Sequence, residues 1–521
     1  MAQMTTLRDL LSRGYFPREL PPMFTTDGFA SLITSTNVLP ADFARPNKLS
    51  RPNAKIMKHD IPNLKLRRRV AGIPNPLFYF LLCQDVVNYW GDIQNHLNKS
   101  TLSRSKSIAN SQSGRAINRE YSEDKLLRER LFIRSRSQYL LKTDIAQFYP
   151  SIYTHSIPWA IHTKTISKQH RKATPQFFGN ILDEDSRNLQ DGQTQGIPIG
   201  TDTSLIIAEI LLTAFDEELK KQMPNLLGFR YVDDFELGFK TPLEAENCLG
   251  LIGELLRDFE LILNDKKTRI IEIPHEVNEL WVAELRNYKF RTPARSQMTD
   301  IFAFIDKAVC LAKANESGHV LKYAIKILGN LKPATENWEL IQNFLLECLI
   351  AESNTFYSVI TIFREHENNY PIDRVQLGIA MNMHIQRHCP HHVNEVCWAL
   401  WGVLHWNLQL ESKSVEVLSK MDDSAVALMT LHANQEGLIS SNLDTTKWDE
   451  IVQDPDELYG SQWLLAYEAN IKGWLPKCHK ITDPNFEFLL SNQVEFYDIS
   501  RKEAEFTGVK ESDISISLFS F

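Results

Sequence analysis

Cysteine is scarce and ungrouped in this chain. Seven stand among 521 residues (Cys83, Cys248, Cys310, Cys348, Cys389, Cys397 and Cys478), and no Cys-x-x-Cys occurs. That speaks against a disulfide framework and leads us to expect reduced thiols in a cytoplasmic compartment. Long apolar runs are missing too. The best candidate, Ser204 to Phe215, is too short to span a bilayer and carries Glu209 in its middle. The first thirty residues hold Arg8, Asp9, Arg13, Arg18 and Glu19, so neither a secretory signal nor a membrane role is expected. A clean internal repeat is also absent.

The charge is unevenly placed. The chain as a whole carries a net charge of -8, yet Met1 to Pro175 hold 27 Lys and Arg against 12 Asp and Glu. A basic first third suits a polyanionic partner. It equally suits a basic surface docked on an acidic one within the same protein. Composition alone does not separate the two.

Periodicity places the elements. Ile73-Pro-Asn-Pro76 is a turn that starts a helix over Leu77 to Trp90, with Phe78, Leu81, Leu82, Val86 and Tyr89 at helical spacing. Ser100 to Arg119, Ser-rich and basic, reads as a mobile loop. Tyr139 to Asp144 is a buried strand, Ser186 to Gly200 a loop, and Asp202 to Glu218 a strong helix. A further amphipathic helix is expected over Pro242 to Leu263 and a short strand over Thr268 to Ile273. From about Thr299 the pattern is helical almost to the end, either repeat-like or a plain bundle.

The chemistry centres on Tyr231-Val-Asp-Asp-Phe235. Apolar and aromatic residues on both sides (Leu227 to Arg230, Glu236 to Phe239) suit two strands joined by a tight turn. Two adjacent carboxylates at such a tip repel each other unless a cation sits beside them. A lone acid in a similar setting, Asp144, ends the strand upstream. Asp144 alone would pass as a helix N-cap. Together with Asp233 and Asp234 it points to a divalent-metal site for phosphoryl transfer, in which carboxylates bridge cations roughly 3.5–4 Å apart.

The order of these segments resembles the reverse transcriptase family. Lys142-Thr-Asp-Ile-Ala-Gln-Phe-Tyr149 is similar to its first palm motif, Gln195-Gly-Ile-Pro-Ile-Gly200 with Ser204 to the second, Tyr231-Val-Asp-Asp234 to the third and Leu263-Asn-Asp-Lys-Lys-Thr268 to the fourth. Arg69-Val-Ala-Gly-Ile-Pro74 resembles the fingers segment whose arginine grips the triphosphate. The resemblance implies an α+β right-hand polymerase acting on dNTPs with a two-metal Mg2+ site, Mn2+ being able to substitute. Asp144 and Asp233 would be the main metal ligands, with the carbonyl of Ile145 completing one shell and Asp234 the weaker carboxylate. Lys267 would be the acid for pyrophosphate departure. Tyr149 would lie under the sugar as a steric gate. Gln195 and Gly196 would line the nucleotide and template side, and Lys65, Arg68 and Arg69 would contact phosphates.

A narrower resemblance follows. Tyr153-Thr-His-Ser-Ile-Pro-Trp159 and Ser167-Lys-Gln-His-Arg-Lys172 are similar to the AbiK-like abortive-infection (Abi) reverse transcriptases of bacteria, which act in antiphage defence. That likeness implies residues 1–50 as an N-terminal arm and helix, 51–290 as fingers and palm, and 291–521 as an all-α, HEAT-like helical domain replacing a conventional thumb. It further implies protein-primed DNA synthesis, untemplated or directed by a noncoding RNA, a DNA product covalently attached to protein, and a homo-oligomer (trimer or hexamer). Tyr15, in a proline-bounded arm, is the candidate priming hydroxyl. The alternative is a primer-dependent, RNA-templated enzyme of retron or intron type. Glu209 stands where many reverse transcriptases carry Asn, which implies altered template handling.

Other clusters read as structural. His384, His388, His391 and His392 lie close in sequence, but no flanking Glu gives a His-Glu-x-x-His arrangement and Pro390 breaks the helix. Trp398, Trp401 and Trp406 sit in apolar surroundings and read as core before base-stacking platforms.

Overall fold

The computed structural model describes residues 5–35, 53–63, 68–112, 114–277, 279–316 and 319–503. Its centre is a four-stranded antiparallel sheet. In chain order the strands are β1 (Met57–Pro62), β2 (Arg68–Ile73), β3 (Ser107–Ala109), β4 (Ile117–Arg119), β5 (Tyr139–Thr143), β6 (Leu227–Tyr231), β7 (Asp234–Phe239) and β8 (Arg269–Glu272). The central sheet runs β6-β7-β5-β8, while β1-β2 and β3-β4 form separate hairpins.

Successive residues of β5 point to opposite faces. Leu141, with Phe235 and Leu237 of β7, joins the main core. Leu140 packs instead with Phe229, Leu126 and Ile133 in a smaller cluster. Both faces are therefore covered. The Pro242–Asp258 helix lies against β5 and β7, and the Glu123–Arg134 helix lies against β7. The Pro242–Asp258 helix starts where local chemistry dictates. Thr241 accepts from the Glu244 amide, Glu244 reaches back to the Thr241 amide, and Pro242 needs no amide partner. Asn75 caps the Pro76–Asn88 helix in the expected place, accepting from Leu77 N.

One expected element is overturned. Ser100 to Arg119 is not a mobile loop. Ser100, Ser103, Ser105 and Ser107 are buried, and the segment ends in the β3-β4 hairpin. Arg104 N donates to Arg230 O at 2.8 Å, and Arg230 N to Leu102 O at 2.9 Å, so the segment runs along β6. Ser100, Ser103 and Ser105 are buried because they hydrogen-bond to buried carboxylates, a partnership that composition does not reveal.

From Leu280 the structure is helical. Helices Val320–Gly329, Phe356–His366, Val393–Trp406, Ser424–Gln435 and Trp463–Lys472 each pack on the next in one row. Ala294–Ala314, Trp338–Ala351, Arg374–His388 and Ser412–Leu418 form a second row alongside. Trp398, Trp401 and Trp406 are buried within this half, as their apolar context predicts, and so are Trp338, Trp448 and Trp463. Among the described residues, no helix is long and apolar enough to cross a membrane.

The helical half also closes back on the start of the chain. Thr25 N donates to Phe496 O at 3.0 Å and Asp498 N to Met23 O at 2.8 Å. Trp398 Nε1 and Asn394 Nδ2 both donate to Glu19 O. Trp463 Nε1 reaches Ile73 O at 3.2 Å, and Lys55 N reaches Tyr459 O at 2.8 Å. Arg68 of β2 grips the fully buried Glu395 through both guanidinium amines, at 2.5 and 2.8 Å, and Asp60 at 2.7 Å.

Two expected outcomes test this closure. Arg68→Ala leaves the Glu395 carboxylate buried without its cation and should cost about 3 kcal/mol, read from the urea midpoint; a loss below about 0.5 kcal/mol would show that the pair does not hold the halves together. Glu468, fully buried on the Trp463–Lys472 helix, accepts from Phe496 N at 2.5 Å. Burial pushes its carboxyl up from 4.5 to about 8. Across that window the native state keeps a proton that the unfolded chain loses, so stability falls as pH rises from 4.5 towards 8. The stability of Glu468→Gln relative to the parent should therefore increase from pH 5 to pH 8 in urea unfolding; a constant difference would contradict the assignment.

Candidate active site

The acidic turn is the tip of the β6-β7 hairpin. Tyr231 pairs with Asp234, which leaves Val232 and Asp233 as a two-residue turn. Val232 has φ of 56°, a left-handed conformation that a β-branched residue rarely adopts. On the neighbouring strand, Thr143 pairs with Phe235, so the next residue, Asp144, comes opposite Asp234. Directly opposed residues of antiparallel strands lie roughly 4.5–5.5 Å apart. Three carboxylates thus meet at one end of the sheet.

The other flank of Asp144 is closed by the segment before β8. Asn264 N donates to Asp144 O at 2.9 Å, and Ile145 bridges to Leu263. Thr143 and Thr268 hydroxyls lie 2.7 Å apart. This path delivers Lys267 Nζ to 2.6 Å from Asp144 Oδ2. Asp144 Oδ1 is buried with no hydrogen-bond partner among the described residues.

Burial, and then the Asp144 charge, push the Asp233 carboxyl above its ordinary range, with Lys267 and Arg119 opposing. Burial and the Asp233 charge push Asp234 well above it. Such mutual strain is what a bound cation relieves. The donor set is all oxygen, which suits Mg2+ or Mn2+. With a buried carboxylate oxygen unpartnered, the residues present fit a divalent ion held by Asp144, Asp233, Asp234 and the Ile145 carbonyl.

Beside this centre, the Phe148–Ser151 turn meets the loop that carries Gln195 and Gly196. Ile197 N donates to Tyr149 O at 3.0 Å, Gly196 N to Ile152 O at 2.7 Å, and Gln195 Nε2 to Ser151 O at 2.8 Å. Gly196 has φ of 85°, and a Cβ there would sit 3.1 Å from Pro150 O, so the close approach needs glycine. The Tyr149 hydroxyl is buried without a hydrogen-bond partner among the described residues, and burial pushes it above its ordinary range. Tyr149, Gln195 and Gly196 are therefore brought together. β2 docks on the same loop through Gly72 N to Ile199 O at 2.9 Å, with Arg69 exposed on it.

Several expectations need correction. Arg68 is not available for phosphates, because Glu395 and Asp60 take its guanidinium. Lys65 lies outside the described residues. Tyr15 is fully buried, stacks on Tyr79 at 4.2 Å between ring centroids and donates its hydroxyl to Pro74 O. Burial raises that hydroxyl well above its ordinary value. It anchors the arm and does not serve as an accessible nucleophile. Glu209 is taken up inside the fold. It is buried and paired with Arg230 at 3.0 Å.

The histidine cluster converges only in part. Nitrogens of His388 and His392 with an oxygen of Glu395 lie within 4.8 Å of one another. Both oxygens of Glu395 hold Arg68, and the two Nδ1 atoms stand 2.5 Å apart, the geometry of one shared proton. The His384 ring lies against that of His388 instead, 4.1 Å between centroids and tilted by 41°.

Sequence reasoning misses Arg119. Exposed at the end of β4, it lies over the Tyr231 ring at 5.1 Å and within 3.3 Å of its hydroxyl, and its charge is felt at Tyr149 and Asp233. The signal that could find it is the period-two recurrence of Ser103, Ser105 and Ser107, which marks a half-buried extended strand rather than a loop. Other arginines of the basic first third are paired internally: Arg115 with Asp202 at 2.7 Å, Arg130 with Glu236 at 3.0 Å and Arg104 with Glu129 at 2.6 Å. The Arg115–Asp202 and Arg130–Glu236 pairs set charge of the basic first third against acids from later in the chain.

Residues 92–322 match the family model described as reverse transcriptase (RNA-dependent DNA polymerase). No curated protein sequence matches the chain. Among solved structures, apo telomerase from Candida tropicalis is similar at 13% identity with a TM-score of 0.32, over 74% of this chain and 68% of that one. Telomerase from the same organism in complex with a TWJ fragment of telomeric RNA gives 15% identity and a TM-score of 0.31, over 73% and 64%. The C-terminally truncated apo form gives 16% and 0.31, over 43% of this chain and 51% of that chain. The chain thus spans about half to two thirds of the length of these telomerase chains.

Proposed function

We propose that this chain, whose residues 92–322 are a reverse transcriptase domain of the nucleotidyltransferase class, is a DNA polymerase that builds DNA from dNTPs at Asp144, Asp233 and Asp234. The observation that carries the reading is the β5-β7 register, which sets Asp144 opposite the acidic turn with one carboxylate oxygen unpartnered. Reverse transcriptase polymerases generally use divalent metals, and we assign Mg2+, or Mn2+, to these three side chains and the Ile145 carbonyl. When bound, the ions lower the pKa of the attacking hydroxyl and offset charge on the departing pyrophosphate.

The chain's own residues do the rest. A hydroxyl that gives its proton to water attacks the α-phosphorus, a new P–O bond forms, and the bond from the α-phosphorus to the oxygen it shares with the β-phosphate breaks, that oxygen leaving with the pyrophosphate. Lys267, held at 2.6 Å from Asp144, is the donor that protonates the leaving pyrophosphate. Arg69, exposed on β2, and Arg119 contact phosphates. Tyr149 lies under the deoxyribose, and Gln195 and Gly196 line the nucleotide and template side.

At a finer level we read the chain as an abortive-infection-type enzyme of antiphage defence, protein-primed, assembling as a trimer or hexamer, with or without a noncoding RNA. Residues 51–290 would be fingers and palm, and 291–521 a HEAT-like domain in place of a thumb. Support comes from the segments at Tyr153 to Trp159 and Ser167 to Lys172 and from the two-row helical stacking. With Tyr15 removed as a candidate, the priming hydroxyl belongs to another residue. The alternative remains primer-dependent synthesis on an RNA template.

Asp233→Ala should abolish dNTP incorporation while the far-UV circular dichroism stays unchanged; persistent incorporation would refute the site. In the parent enzyme, DNA that remains attached to protein after denaturation supports protein priming, whereas synthesis only from an annealed primer favours the alternative. Tyr149→Ala should relax sugar discrimination by about tenfold or more, on the scale of a contact of roughly 1.4 kcal/mol, measured as the ratio of dNTP to rNTP incorporation; an unchanged ratio would exclude the gate.

A further inference from the structure

Behind the acidic turn lies a buried ionic cluster that the polymerase reading does not use. Arg230, on β6, is fully buried. Its guanidinium donates to Asp216 at 2.7 Å and to Glu209 at 3.0 and 3.1 Å. Asp216 and Glu209 are both on the Asp202–Gln222 helix. Ser103 donates to Glu209 Oε2 at 2.8 Å, Ser105 to Glu209 Oε1 at 2.6 Å, and Ser100 to Asp216 at 2.5 Å.

Two of these contacts reach the turn itself. Val232 N donates to Ser105 Oγ at 2.6 Å, and Val232 O accepts from Arg230 Nη1 at 2.8 Å. The single hydroxyl hydrogen of Ser105 is directed to Glu209, so its lone pairs are left for the Val232 amide. A carboxylate pulling on that hydrogen makes the oxygen a better acceptor. Both polar backbone groups of Val232 are thereby held from behind. Val232 is also the residue with a left-handed φ, immediately before Asp233. A strained turn persists only where its surroundings over-determine it. If Val232 relaxed to a negative φ, the following peptide, and the Asp233 carboxylate with it, would swing away from Asp144.

We infer that Glu209, Ser105 and Arg230 are positioning residues that hold the strained Val232 turn so that the Asp233 carboxylate faces Asp144 in metal-binding geometry. This rests on the reading of Asp233 as a metal ligand. Arg230 and the serine hydroxyls hold the Glu209 carboxyl below its ordinary value against the pull of burial, so Glu209 is the charged end of the relay. Burial pushes Asp216 the other way. Ser100 is the internal control. It belongs to the same cluster, capping Asp216 and accepting from Leu102 N and Ser103 N, but does not touch Val232.

The test is Mn2+ binding to the full chain, followed by electron paramagnetic resonance in the absence of nucleotide. Ser105→Ala and Glu209→Gln should each weaken Mn2+ binding by about tenfold or more, the usual range for partners that orient a metal ligand. The double variant should be little weaker than either single one, since both act through one hydrogen bond to Val232. Ser100→Ala should stay within about twofold of the parent, because it leaves that bond in place. Retained affinity in Ser105→Ala, or an equal loss in Ser100→Ala, overturns the inference: the cluster would then serve stability alone. Asp233→Ala in the same assay keeps the two readings apart. If it leaves Mn2+ binding intact, the metal-site reading fails. If it removes binding while Ser105→Ala does not, only the positioning role fails.

Discussion

Three carboxylates brought to one end of a sheet repel one another, and the structure around them is shaped by holding them there. Burial removes water that would screen them, so Asp233 and Asp234 are pushed towards protonation without a cation. Strand pairing supplies the restraint. β5 and β7 are locked by a ladder from Tyr139↔Phe239 to Thr143↔Phe235, and the acids sit one step past its end. A slip of one residue would turn Leu140 and Leu141 to the wrong faces, so two separate apolar clusters enforce the register that places the acids. Core packing and the polar site are in this way one arrangement.

The same logic extends outward. The segment from Ser100 to Arg119 contributes serine hydroxyls to the cluster behind the acidic turn and Arg119 to its front. β2 is held between the loop at Ile199 and the helical half at Glu395, and Arg69 projects between these anchors. The N-terminal arm and the last described residues pair through Phe24 and Tyr497. The helical half is thus a clamp on the β1-β2 hairpin and the arm as well as a continuation of the chain. Motion of β2 relative to the acidic turn has to be accommodated through contacts that run across the whole length of the sequence.

Local order is legible in the amino-acid pattern. The hairpin at Tyr231 to Phe235, the strand before Asp144 and the helices begun by Asn75-Pro76 and Thr241-Pro242 follow from alternation and capping chemistry within a few residues. Ordered motifs single out Asp144, Lys267, Tyr149, Gln195 and Gly196; strand pairing brings Asp144, and Lys267 with it, to the acidic turn, and loop contacts bring Gln195 and Gly196 to the segment that carries Tyr149. The misreadings share a cause. Neighbours in sequence suggest roles for Arg68 and Tyr15, but their partners, Glu395 and Tyr79, are 327 and 64 positions away.

Amino-acid order alone therefore picks out most of the chemically able residues and the elements that carry them, because hydrophobic period and capping act over one or two turns of chain. Folding selects which residues are free to act, Arg119 among them. Arg69 and Arg119 stay exposed, whereas Arg68, Arg115 and Arg230 are consumed by carboxylates. Tyr149 keeps an unpartnered hydroxyl among the described residues, while that of Tyr15 is spent on a carbonyl. A side chain's role depends on whether its charge and hydrogen bonds are already satisfied, and satisfaction comes from segments that only folding brings together.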